Sequence, residues 1–122
     1  GVCPSHGDCW EGLASGRAIE ARWGRRPEER ASDDRVWALE ARYLALGLVS
    51  VILVLSPERI IIGGGVMSHA ELLPRVRREV AGLLNGYLDI VEVGENIEGY
   101  ITTPALGSKS GVLGAIALAE RT

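Results

Sequence analysis

The stretch YLALGLVSVILVL, Tyr43 to Leu55, constrains the fold more than any other feature. It carries no charge, and Pro57 stops it shortly after its end. A bilayer-spanning helix needs ~20 apolar residues, so the run is too short to be read as a span and a buried helix is expected. Asp33 or Asp34 is placed to cap that helix, which should run from about Arg35 to Leu55. Its first half is amphipathic, with Glu40 and Arg42 expected to face out. Its second half is apolar all round and should be buried all round. A chain of 122 residues makes one small domain and has little core to spare. Such a helix therefore points to a missing lobe or a partner subunit.

Around this helix the pattern alternates. Residues 1–10 read as a loop of turn formers, and EGLASGRAIEARW, Glu11 to Trp23, reads as a helix weakened at Gly16. Residues 24–34 form a polar linker. Ser56–Glu58 is a turn, and Arg59–Ile62 has the β-branched character of a buried, parallel strand. Ser68 and Glu71 have capping-box spacing and should open a helix to about Leu84, with Pro74 in its first turn or starting a second piece and Asn85–Tyr87 ending it. Ile90–Val93 and Tyr100–Thr103 are candidate strands, and the tail from Gly107 is a final helix with small residues on its packing face. The class is α/β. Two or three strands are few for an independent sheet.

Composition excludes several functions. The 13 basic residues are outnumbered by 16 acidic ones, and the net charge is -3, so there is no nucleic-acid footprint. No basic-then-apolar leader is visible at the start and no span is long enough for a membrane, so no membrane role is expected. The two cysteines make no disulfide framework, and reduced thiols in a cytoplasm are the expectation.

Two motifs carry chemistry. The opening GVCPSHGDCWEG places Cys3, His6 and Cys9 in a C-x-x-H-x-x-C loop, with Pro4 and Gly7 supplying bends. Two thiolates and an imidazole suit tetrahedral zinc and leave a fourth position open. A surface loop with two unrelated thiols is the alternative. His69 reads as an exposed helix-start residue, not a fourth ligand. Second, IIIGGGVMS sets three glycines between a strand and a helix. Glycines there let a backbone approach a ligand, phosphate included. The stretch lacks the lysine of a P-loop and the spacing of G-x-G-x-x-G, and a tight turn without ligand fits the same residues. Glu11 is either a carboxylate favoured at a helix start or a ligand-binding group. Trp10, Trp23 and Trp37 read as packing residues.

Taken together, GVCPSHGDCWEGLASGRAIEARWG, LSPERIIIGGGVM, LLNGYL and YITTPALGSKSGVLGAIALA resemble the ROK family of sugar kinases and repressors, in particular its bacterial fructokinase branch. The resemblance covers nearly the whole chain. It implies an actin-like ATPase fold of two RNase H-like lobes, this chain being part of the C-terminal lobe, 1–122, with a zinc loop at its start. It implies Mg-ATP-dependent phosphorylation of a hexose, most simply fructose to fructose 6-phosphate. A structural zinc would be held by Cys3, His6, Cys9 and a His from upstream. Glu11 would hydrogen-bond sugar hydroxyls. Gly63, Gly64, Gly65, Val66 and Met67 would line the adenosine, with Gly16 and Arg17 near the nucleotide wall, although Arg17 departs from the family's usual Gly-Pro there.

The family's D-x-G-G-T phosphate loop and its catalytic Asp are not in this sequence. The resemblance thus implies the C-terminal portion of a longer kinase, inactive alone and completed by an N-terminal portion, with a homodimer common in the family. A ROK repressor fragment is the rival, disfavoured because repressors and glucokinases of the family usually carry a C-x-C-G-x-x-G-C loop. A glucokinase or mannokinase fragment, or a non-catalytic zinc-binding association module, also remain.

Overall fold

A computed structural model describes residues 1–25, 29, 32–88 and 96–120. The N-terminal loop leads into α1 (Trp10–Leu13) and α2 (Gly16–Trp23). The long helix α3 (Asp34–Leu55) follows, then strand β1 (Ile60–Ile61), a 3-10 turn (Gly65–Ser68) and α4 (Leu72–Leu84). The short helix α5 (Ile97–Tyr100) runs into strand β2 (Ile101–Thr102). A second 3-10 turn (Gly107–Lys109) opens α6 (Ser110–Ala119). The candidate strand at Ile90–Val93 lies outside the described residues, as does part of the 24–34 linker.

The expected Glu11–Trp23 helix is broken in two. Ser15 is extended and its hydroxyl accepts from the Ala18 N–H, so it caps α2 and Gly16 becomes that helix's first residue. Asp33 caps α3 as its position suggests, accepting from the Arg35 N–H. The capping box at Ser68 and Glu71 does not form. The Ser68 hydroxyl donates back to the Gly65 carbonyl at 2.6 Å and closes the 3-10 turn instead, and Glu71 makes no side-chain cap. Pro74 sits in the first turn of α4, where its missing N–H has no intrahelical partner to lose. Asn85, left-handed at φ 44°, ends that helix.

The core is the α3–α4 interface. Val36, Trp37, Leu44, Leu48 and Ile52 of α3 meet Leu72, Val76, Val80 and Leu84 of α4, with Ile19 of α2 and Ile101 of β2 completing the cluster. β1 and β2 pair in parallel, Ile60 with Ile101 and Ile61 with Thr102. Arg77 of α4 ties this pair down, its guanidinium donating to the Ile101 and Glu98 carbonyls at 2.9 Å each.

Two expectations about α3 are corrected. Glu40 does not face out; it is fully buried, while Arg42 is exposed and pairs with Glu79 at 3.0 Å. Its charge argued for an outward place, but its spacing from Val36, Trp37 and Leu44 sets it on the inner, buried face of α3. Second, the apolar end of α3 is not buried all round. Leu46, Leu53, Val54 and Leu55 are exposed, and so are Val112, Leu113, Ile116 and Leu118 of α6, which buries no residue. By length and composition α3 could cross a bilayer, but its inner face is core against α4.

Neither Glu40 carboxylate oxygen has a hydrogen-bond partner among the described residues. Burial pushes its carboxyl up to about 7, with Arg22 pulling the other way. In the unfolded chain the group titrates near ~4.3. The folded state then holds more protons between those values, so stability falls as pH rises through that window, by roughly 4 kcal/mol once both forms are ionised. Glu40→Gln removes this dependence. Urea denaturation at pH 5 and pH 8 should show the variant gaining on the parent at the higher pH; parallel behaviour would contradict the burial account.

Candidate functional site

The metal loop is built by short-range backbone bonds. Gly7 donates to the Cys3 carbonyl at 3.0 Å and accepts from the Cys3 N–H at 3.4 Å, with Gly7 left-handed at φ 58°. This closes residues 3–7 into a tight turn. The His6 N–H points at the Cys3 sulfur and the Gly12 N–H at the Cys9 sulfur, each at 3.4 Å. The His6 and Ser5 N–H groups, then the Cys9 side chain, lower the Cys3 thiol from its ordinary value. Thiolate is the metal-binding form. Cys3 Sγ lies 3.7 Å from His6 Nδ1, and the ligand atoms of Cys3, His6 and Cys9 all fall within 4.8 Å of one another. Tetrahedral zinc with bonds of ~2.0–2.3 Å spans neighbouring ligands by roughly 3.5–3.8 Å, which the Cys3–His6 pair matches, and Cys9 lies close enough for the three to form a candidate metal site. No fourth His, Cys, Asp or Glu joins them among the described residues, and His69 is not of the group.

Glu11 follows in the first turn of α1, exposed. Trp10 beside it lies on α3 at Gly47, where a Cβ would come within 2.2 Å of the indole. That contact seats α1, and with it the metal loop, on the long helix.

The glycine turn lines a separate cleft of about 710 Å³. Its walls are Gly63, Gly64, Gly65, Met67 and Ser68 on one side and Thr103, Pro104, Gly107, Ser108, Ser110 and Gly111 on the other. β1 and β2 deliver these two walls side by side, the Ile62 N–H donating to the Thr102 carbonyl at 2.8 Å. Gly64 is at φ 107°, ψ 170°, a conformation essentially reserved for glycine. The Ser68 and Ser110 hydroxyls both donate to backbone carbonyls of their own turns. Among the described residues, no acidic or basic side chain lines the cleft.

The ROK family model matches residues 1–122. The chain belongs to the ROK family. A Bacillus subtilis protein is 46% identical over 99% of this chain and 40% of its own length. Proteins named fructokinase from Zymomonas mobilis and Streptococcus mutans are 44% and 40% identical, over 98% and 99% of this chain and 39% and 40% of their own lengths. The chain thus spans about 40% of these relatives.

Of the residues singled out in this ROK chain, Cys3, His6 and Cys9 converge, and Gly63, Gly64, Gly65 and Met67 share the cleft. Val66 turns from the cleft to pack against the core. Gly16 and Arg17 open α2 and do not line the cleft. The facing wall, Thr103 to Gly111, was not identified from the sequence as site. Its signal was GSKSG, a second glycine- and serine-rich stretch just before a helix.

Proposed function

We propose that the whole protein is an ATP-dependent hexose kinase of the fructokinase kind, and that this chain is part of its C-terminal, RNase H-like lobe. The observation that carries this reading is the glycine-walled cleft lying in the same chain as a metal-ready C-x-x-H-x-x-C loop, in a family whose named relatives here are fructokinases. The cleft would take the adenosine of ATP along Gly63–Met67 and Thr103–Gly111. Glu11 would accept hydrogen bonds from sugar hydroxyls. Zinc, held by Cys3, His6 and Cys9 and completed by a ligand outside the described residues, would stiffen the loop that presents Glu11. Positional errors near ~1 Å are costly in such sites.

The reaction is direct transfer. A hexose hydroxyl oxygen attacks the γ-phosphorus, the bond to the β-phosphate oxygen breaks, and the hydroxyl proton passes to a carboxylate that this chain does not supply. Magnesium bound with the nucleotide supplies charge neutralisation. The 122 residues alone would not turn over. The exposed apolar surfaces of α3 and α6 support a lobe completed by other parts of the protein or by a second subunit, in a cytoplasmic enzyme acting on a small sugar. Those same surfaces are what favours the second reading, a zinc-dependent association module without catalysis.

Glu11→Gln in the full-length protein tests the assignment. It removes a charge-assisted acceptor, and kcat/KM for fructose should fall about 30-fold while KM for ATP holds. Initial rates with each substrate varied measure this; unchanged fructose kinetics would remove Glu11 from the site.

A further inference from the structure

One ring pair at the far end of the glycine turn is used by neither the metal loop nor the cleft. His69 directly follows the 3-10 turn. Its N–H donates to the Val66 carbonyl at 3.4 Å, and its own carbonyl accepts from the Leu72 N–H at 3.0 Å, so its backbone splices the turn to α4. Its imidazole lies on the indole of Trp37 of α3, ring centroids 3.8 Å apart and planes within 6°. Trp37 is 3% exposed and belongs to the core. The expectation of a solvent-exposed His69 is thus corrected: its ring is stacked and half-buried.

The turn needs such an anchor. β1 and β2 hold only two residue pairs, and Gly63, Gly64, Gly65 and Ser68 are exposed. Val66 and Met67 pack toward the core and set the depth of the turn's middle. Leu72 enters the core at the start of α4, and beside it the described residues show two further ties to α3. One is Arg75, bridging Asp34 at 2.5 Å and Glu71 at 3.1 Å, but those carboxylates are 75% and 72% exposed, and exposed ion pairs hold little. The other is the His69–Trp37 stack, whose lower partner cannot move without opening the core. Met67 and Ser68, the two residues before His69, are cleft residues.

We propose that His69 is a positioning residue for the cleft: its stack on Trp37 fixes the end of the Gly63–Ser68 turn, and so the height at which that backbone meets the nucleotide. This rests on reading the cleft as the nucleotide site. The stack needs a flat ring, not an imidazole in particular.

The test compares His69→Ala with His69→Phe in the full-length protein, by steady-state kinetics and by hydrogen exchange at the Met67 amide, which bonds the Gly64 carbonyl at 3.1 Å. His69→Ala should raise KM for ATP about tenfold, the equivalent of ~1.4 kcal/mol, leave KM for sugar unchanged and speed exchange at Met67. His69→Phe should match the parent in all three. Parent-like ATP kinetics and exchange in His69→Ala would overturn the proposal, and so would a His69→Phe variant as impaired as His69→Ala. If the full-length protein consumes no ATP, the nucleotide reading fails by itself, and the exchange comparison alone decides whether His69 positions the turn.

Discussion

Replacing Gly12 with alanine is expected to strip the metal from the N-terminal loop. A Cβ at that position falls 2.0 Å from the Gly7 carbonyl oxygen and 3.0 Å from the Cys3 Cβ. The first clash is with backbone, so no side-chain rotation relieves it. Nor can residue 12 retreat, because its carbonyl accepts from the Val2 N–H at 2.9 Å and its N–H holds the Cys9 sulfur. The 3–7 turn must open, and Cys3 leaves the other two ligands. The variant keeps every donor atom, so metal loss would show that the close backbone approach makes the site. Metal analysis of purified full-length protein should find less than roughly a tenth of the parent's zinc, since affinity depends on a preformed geometry. Full zinc occupancy in Gly12→Ala would contradict the loop geometry.

The second large effect is expected at Gly64. Its φ of 107° with ψ of 170° is a region L-residues almost never enter, and nothing lies within 4 Å of an added Cβ. The penalty of Gly64→Ala is therefore one of backbone strain, not of crowding. The turn would rotate out of that conformation and take the Gly64 carbonyl from the Met67 N–H. Strain of this kind costs ~1–3 kcal/mol, which as misplacement of the nucleotide backbone contacts should raise KM for ATP up to roughly 100-fold, with KM for fructose little changed. Gly65→Ala is the control: Gly65 has an ordinary φ and open space, so its effect should be several-fold smaller. Equal ATP kinetics for Gly64→Ala and the parent would remove the turn from the nucleotide site.

What the sequence made legible was local. Asp33 caps α3 because an Asp before an apolar run needs only its next residues to act. The convergence of Cys3, His6 and Cys9 was legible because the three donors and both bends lie within seven residues. The turn at Gly63–Ser68, as a piece of backbone, was legible for the same reason. What failed depended on distant partners or on competing local bonds. Ser68 had the spacing of a cap, yet its hydroxyl had a nearer acceptor in the Gly65 carbonyl. Glu40 was set outside on account of its charge, although its spacing from Val36, Trp37 and Leu44 puts it on the buried face. The far wall of the cleft comes from Thr103–Gly111, brought to Gly63 only by the parallel pairing of β1 with β2. The apolar end of α3 was read as a surface needing cover; the described residues leave it open, and α6 likewise buries none of its residues.

The central claim is that this chain holds the sugar and the nucleotide of a hexose kinase, and ADP release by the full-length protein tests it most directly. ATP and magnesium would be supplied with fructose, glucose or mannose in turn, and with no sugar. The account predicts release that requires a sugar, is fastest with fructose, and is absent without magnesium. No sugar-dependent release from full-length protein found by metal analysis to carry one zinc would contradict it, and would leave the Cys3–His6–Cys9 loop and the exposed apolar helices as parts of an association module.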